Sequence, residues 1–176
     1  MKTLYLLRHA KSSWGNVGLG DFERPLKERG RHAARLIGHY LAAQNHVLEL
    51  VLCSEAVRAR QTLKHVETGY GASLDKLYEQ SLYLSSPETM LTHLHRLNDD
   101  LNKAMIIAHN PGMQDLALSL PSERNSDAWW DMDEKYPTAA LTILTFEGNT
   151  WRQCMPGACT LEAYIKPRDL ESVTST

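Results

Sequence analysis

The chain has 176 residues, 43% of them hydrophobic and 23% charged, with a formal charge of −2 and a pI near 6.4. That is about one domain's length with an ordinary globular composition, and enough chain to bury a core without disulfide or metal staples. The slightly acidic balance excludes a general nucleic-acid or membrane-surface binder, so any anion site has to be built locally.

Thr3–Leu7 is a short apolar run and is predicted as the first strand. A signal peptide is not expected, because the run ends at Arg8-His9 and no A-x-A-like cleavage site follows. No segment approaches the roughly 20 apolar residues of a membrane span, and the cytoplasm is the expected location. Lys11–Asp21, rich in Ser and Gly, reads as a surface loop. Ala33, Leu36, Ile37, Tyr40 and Leu41 form an apolar stripe at helical spacing, with His32 and His39 on the solvated face and His46 past the end.

Leu48–Cys53 is the second predicted strand, with Cys53 a buried free thiol. Ser54 is expected to cap a helix over Glu55–Glu67 that turns Ala56, Ala59, Leu63 and Val66 inward. Ser86-Pro87 opens another helix, carrying Met90, Leu94 and Leu97. His93 and His95 lie two apart and do not share a helix face, so they make a poor metal pair. Ala104–Ala108 is the third strand, and Asn110-Pro111 opens a helix with Met113, Leu116, Ala117 and Leu120 inside.

Pro121–Pro137 reads as a second loop, in which Trp129-Trp130 anchors the loop, walls the pocket or makes a partner contact. Ala139–Phe146 is the fourth strand, and Gly148-Asn149 predicts a hairpin into Trp151 onward. Cys154 and Cys159 could be neighbours, but with Cys53 they give an odd count and no four-ligand zinc set. Alternating strands and helices predict an α/β fold with a mainly parallel sheet and one antiparallel edge. It is expected as a single domain over 1–168, with a polar, frayed tail over 169–176.

In an open α/β sheet ligands bind outside the carboxyl ends of the strands. The first strand delivers Arg8-His9 there, the second Ser54 and, one turn into its helix, Arg58, the third His109-Asn110. Each alone has an ordinary structural reading: a loop start, a solvated helix residue, a satisfied core histidine. Together they make a site for a doubly charged oxyanion. Arginine forks donate paired hydrogen bonds to phosphate oxygens, and a helix N-terminus adds free N–H groups. A neutral histidine can take the phosphoryl group, splitting the reaction in two, while the second histidine and the arginines stabilise the equatorial oxygens. No metal or cofactor is needed in this scheme. There is neither a G-x-x-x-x-G-K-[ST] phosphate loop nor a G-x-S-x-G elbow.

Leu-Leu-Arg8-His9-Ala-Lys-Ser-Ser-Trp14 resembles the signature of the histidine phosphatase superfamily, with its phosphoglycerate mutase-like fold, and more narrowly the SixA-type phosphohistidine phosphatases. The likeness continues through Phe22-Glu-Arg24-Pro25-Leu26, Glu28-Arg-Gly30, Leu52-Cys-Ser54, Arg58-Ala-Arg-Gln-Thr62, Glu79 with Leu82-Tyr83, His109-Asn110-Pro111-Gly112 and Pro137-Thr138. The resemblance implies a three-layer α/β/α sandwich, His9 as nucleophile, Arg8 and Arg58 as the phosphate clamp and His109 as the second histidine. Arg24 matches an arginine that reaches phosphate in this branch; its other reading is a structural salt bridge. Glu79 lies in the stretch that supplies a general acid to the family; its other readings are a carboxylate orienting a clamp arginine and a solvated strand-end residue. Ala10 departs from the wider superfamily, where Gly follows the histidine, and points to the SixA-like branch.

The expected function is therefore metal-independent phosphate hydrolysis, with phosphohistidine on a protein as the substrate. A small-molecule phosphomonoesterase and a non-catalytic phosphate-binding module are the alternatives. Retention of His9 and every clamp group favours an enzyme, whereas the substrate rests on family analogy. No nucleic-acid or membrane partner is expected.

Overall fold

In the computed structural model, which describes residues 1–171, six strands form one sheet in the order β3-β2-β4-β1-β5-β6. They are β1 (Lys2–Arg8), β2 (Leu50–Ser54), β3 (Lys76–Glu79), β4 (Lys103–Ala108), β5 (Leu141–Phe146) and β6 (Thr160–Ile165). β1, β4, β2 and β3 run parallel; β5 runs antiparallel to β1, and β6 antiparallel to β5. This is the expected mainly parallel sheet with an antiparallel edge.

The period-2 alternation of β1 sorts the molecule into layers. Leu4 and Leu6 enter one core with Met90, Met113, Leu116 and Met132. Tyr5 and Leu7 enter the other with Ala34, Ile37, Leu41, Ala59 and Leu63. Helices α1 (Glu28–Ala43) and α2 (Val57–Tyr70) therefore cover one face. Helices α3 (Pro87–Leu94), α4 (Gly112–Ser119) and α5 (Asp127–Glu134) cover the other. β1 leads to α1 on one face and its neighbour β4 to α4 on the other. The crevice between their carboxyl ends is thus a topological switch point.

Several expectations are corrected. β3 was not predicted: its two apolar residues, Leu77 and Tyr78, are exposed on an edge strand, so no core-facing pattern marks it. Pro121–Pro137 is not a continuous loop, because α5 occupies its middle, started by Ser126, whose side chain accepts from the Trp129 N–H at 3.2 Å. The strand paired with β5 is Thr160–Ile165; Trp151–Gln153 forms a 3₁₀ turn that seats Trp151 in the core. Ser54 does not cap α2, which begins at Val57 after Ala56, and Leu97 lies beyond the end of α3. Helix α6 (Pro167–Glu171) runs into the expected tail, with Leu170 packed against the α1 and α2 core; 172–176 lie outside the described residues. Among the described residues, no helix is long and apolar enough to cross a membrane.

Candidate active site

The parallel register aligns Arg8 with Ala108, so the residues that follow, His9 and His109, stand side by side at the crevice. Their ring centroids are 5.0 Å apart. The His9 N–H donates to the Ala108 carbonyl at 3.0 Å, which continues the ladder one residue past the strand and fixes the backbone of the first histidine. Across the second core the Ala10 N–H donates to Thr62 Oγ1 at 2.9 Å, and the Ala10 methyl is buried among residues of α1 and α2.

His9 is 7% exposed, and its Nδ1 lies 2.8 Å from the carbonyl oxygen of Ala10. A carbonyl only accepts, so Nδ1 carries the hydrogen and Nε2 keeps its lone pair. Burial pushes the His9 pKa down to about 3, and the charges of His109, Arg58 and Arg8 reinforce that shift against the backbone bond. His109 is pushed down to about 3 by burial first and by Arg58 next. Its Nε2 lies 2.7 Å from Ser54 Oγ, while its buried Nδ1 has no partner among the described residues.

Arg8 donates from one guanidinium nitrogen to the Tyr136 carbonyl at 2.7 Å, and Arg58, 2% exposed, donates to the Asp21 carbonyl at 2.6 Å and to its carboxylate at 3.0 Å. Among the described residues, the Nε atoms of both arginines are buried without a hydrogen-bond partner. The two guanidinium groups line one cavity together with both imidazoles, a set of positive charge and N–H donors of the kind an oxyanion pairs with. That cavity holds about 310 Å³, with Ser12, Trp14, Leu84, Asn110 and Thr138 completing its wall.

The loop from Lys11 to Leu26 is held against the sheet. Ser13 N–H donates to the Pro25 carbonyl at 2.8 Å, and Lys27 N–H to the Lys11 carbonyl at 2.9 Å. Gly30 is required at the start of α1, because a Cβ there would meet the Lys11 carbonyl oxygen at 2.2 Å. On the opposite wall Ala139 has φ +60°, a left-handed conformation costing roughly 1–2 kcal/mol for a residue with a Cβ. It lets the Ala139 N–H reach the carbonyls of both Arg8 and His9 at 3.1 Å, holding Thr138 at the cavity.

Of the predicted residues, the structure brings Arg8, His9, Arg24, Arg58 and His109 to one cavity. Arg24 lines the cavity and makes the structural salt bridge of its second reading, pairing with Asp21 at 3.0 Å while donating to Ser12 Oγ at 2.7 Å and stacking 3.5 Å over Trp14. Glu79 is not brought in. It sits at the end of β3, in register with Ser54, and does not line the cavity. The carboxylate that does is Asp21. Bonds from Tyr83, then Arg24 and Arg58, hold its pKa down at about 2. Tyr83, whose hydroxyl bonds Asp21, also sets its ring edge-on to His109, 5.4 Å between centroids. Sequence reasoning missed Asp21 because a loop carboxylate has no periodicity to mark it. Tyr83 carried only its place in the family likeness.

The sequence profile of the histidine phosphatase superfamily (branch 1) matches residues 4–80. An uncharacterized protein of Mycobacterium tuberculosis (strain H37Rv) is 35% identical over 164 residues, covering 92% of this chain and 100% of the relative. Among solved structures, a candidate phosphohistidine phosphatase SixA from Agrobacterium tumefaciens superposes with a TM-score of 0.79 at 26% identity, covering 94% of this chain and 98% of that one. The protein histidine phosphatase SixA complexed with tungstate superposes with a TM-score of 0.75 at 24% identity, covering 96% and 99%.

Proposed function

Because the chain belongs to the histidine phosphatase superfamily, with the fold of its SixA-like branch, we propose that it hydrolyses phosphohistidine on a protein through a phosphorylated His9. The observation that carries the reading is the bond from His9 Nδ1 to the Ala10 carbonyl. It leaves a neutral ring with a bare Nε2 in a cavity walled by Arg8, Arg58 and His109. A SixA structure of the same fold is complexed with tungstate, a tetrahedral oxyanion, which is in keeping with an oxyanion as ligand.

In the first step Nε2 of His9 forms a bond to phosphorus as the bond to the leaving group breaks. In the second, water attacks phosphorus, the Nε2–P bond breaks, and inorganic phosphate departs. Arg8, Arg58 and His109 hold the equatorial oxygens in both steps. Leaving-group chemistry favours phosphohistidine over an alkyl ester. An alkoxide needs a proton, and a positioned acid is worth about 10²–10⁴-fold. Asp21, the one carboxyl group lining this cavity among the described residues, is held ionised. A phosphorylated imidazole can take a proton from solvent on its other ring nitrogen near neutral pH, so it can leave as neutral imidazole without a positioned protein acid. Metal independence belongs to the same proposal: guanidinium groups supply the positive charge, and no cluster of three His, Cys, Asp or Glu fit for a metal occurs among the described residues. The cytoplasm is its proposed place, in keeping with three free cysteines, two of them with sulfurs 3.8 Å apart.

The test compares kcat/KM on a phosphohistidine protein, a phosphoserine peptide, an aryl phosphate and phosphoglycerates. Phosphohistidine is expected to lead, and an acid-labile, base-stable phosphoenzyme to form in the parent and not in His9→Ala. Glu79→Gln is expected to leave phosphohistidine turnover within about twofold, since the acid term is not needed there. Undiminished turnover by His9→Ala would remove His9 as nucleophile; a lead for phosphoserine or phosphoglycerate would remove the substrate assignment.

A further inference from the structure

A second, larger groove of about 510 Å³ adjoins the catalytic cavity and shares Arg8, Lys11 and Thr138 with it. Its floor and rim carry cations from four separate segments: Lys11 after β1, Arg29 in the first turn of α1, Lys135 after α5, and Lys166 with Arg168 at the end of β6 and in α6. Glu171 is the only carboxylate on its wall among the described residues. Lys166 is buried and neutralised by Asp131, 2.5 Å away. Lys11, Arg29 and Lys135 make no ion pair among the described residues, and Arg168 has only Asp169 at 3.9 Å. In a chain of net charge −2, three cations without an ion-pair partner among the described residues thus line a groove beside the cavity that holds His9.

The arrangement says what kind of anion fits. A second phosphate subsite needs donors that converge, as Arg8 and Arg58 do. Here Arg29, Lys135 and Arg168 are exposed and spread along an open groove, which suits several separated negative charges. Deepening the reading of the chain as a protein phosphohistidine phosphatase, and resting on it, we infer that this groove receives an acidic stretch of the substrate polypeptide next to the phosphorylated histidine. The shared wall at Lys11 and Thr138 lets one extended chain lie in the groove while its phosphorylated side chain enters the cavity. Lys11 and Arg8 face both.

The test uses two phosphohistidine peptides, one flanked by Asp and Glu and one by Ser and Gly, with an aryl phosphate as a probe lacking any flank. The parent and an Arg29→Glu/Lys135→Glu variant are compared; both positions are exposed and outside the catalytic cavity. In the parent, kcat/KM for the acidic peptide is expected to exceed that for the neutral one by roughly tenfold at low salt, the scale of a few exposed pairs, and to shrink at high salt. The variant is expected to lose this preference and keep the parent's aryl phosphate kcat/KM. Equal kcat/KM for the two peptides in the parent, or an unchanged preference in the variant, would overturn the inference. So would selectivity for a small bisphosphate over its monophosphate without any peptide preference. Anisotropy of a labelled, unphosphorylated acidic peptide separates the two readings. Binding lost in the variant, with no phosphohistidine turnover in the parent, upholds an acidic-peptide groove and rejects the phosphohistidine assignment; absent binding in an active parent rejects the groove.

Discussion

Burial keeps His9 neutral and therefore nucleophilic, and the same burial makes acid a threat to the fold. An imidazole in the unfolded chain titrates near 6.5, whereas His9 and His109 are held at about 3. As pH falls below 6.5 the unfolded chain takes up protons that the native site refuses. Stability is fully present above 6.5 and is lost as pH drops toward 3. Asp21 follows lower down, its contribution present above about 4 and lost as pH falls through about 2. His46 and His65 are also lowered, so the parent's acid limb contains them as background. His109→Gln should therefore flatten the dependence of urea-unfolding free energy on pH between 6 and 4, by up to about 1.4 kcal/mol per pH unit relative to the parent. Equal slopes in parent and variant would show that His109 takes up protons in the folded state. At this scale the sequence was informative where chemistry sat at strand ends: Arg8, His9 and His109 follow apolar runs that place them at one rim. It was silent on Asp21, whose role comes from its neighbour Arg24 and from Tyr83 and Arg58, which close around it from two distant segments.

Helices α1 and α2 set where Arg58 stands, because its guanidinium projects from the first turn of α2 while α1 holds the loop beneath the cavity. They approach backbone to backbone through reciprocal glycines. A Cβ on Gly38 would meet the Val66 carbonyl oxygen at 2.2 Å, and one on Gly69 the Arg35 carbonyl oxygen at 2.0 Å. Backbone cannot rotate aside as a flexible side chain can, so Gly38→Ala must separate the helices. Overpacking of this kind costs about 1–3 kcal/mol, roughly 2–10 °C in Tm for a chain of this size. Calorimetry should show that loss, with a fall in kcat/KM as Arg58 shifts; an unchanged Tm would mean that the crossing is looser than the contacts imply. Element types were legible wherever burial imposed a period, as in the α1 stripe and in Ser86-Pro87, whose serine side chain accepts from the Thr89 N–H. They were not legible where burial was partial. Edge strand β3 exposes its apolar side chains, and α5 buries only Met132 fully, so neither left a pattern.

Strand order is the property that the sequence could not supply. Nothing in the runs themselves says that β4 lies between β1 and β2, yet that placement sets His109 against both His9 and Ser54. The candidate site is consequently a property of the whole chain: β1, β2 with α2, β4, the loop holding Asp21 and the turn at Thr138 each contribute a wall. An oxyanion seated there ties these segments together and binds the native state alone, so ligand and fold are linked. At a phosphate concentration about 100 times Kd the linkage adds about 2.7 kcal/mol, which corresponds to a Tm rise of roughly 5–10 °C. Vanadate, which adopts the five-coordinate geometry of the transferring phosphoryl group, should give a larger shift than phosphate at equal concentration. Chloride at matched ionic strength is the control for screening. Because the positive charge comes from Arg8, Arg58 and Arg24 in the proposed scheme, the shift should survive exhaustive chelation, as should turnover. A shift abolished by chelation and restored by one divalent cation would overturn the metal-independent reading, and a shift of equal size with chloride would mean that no specific oxyanion site links these walls.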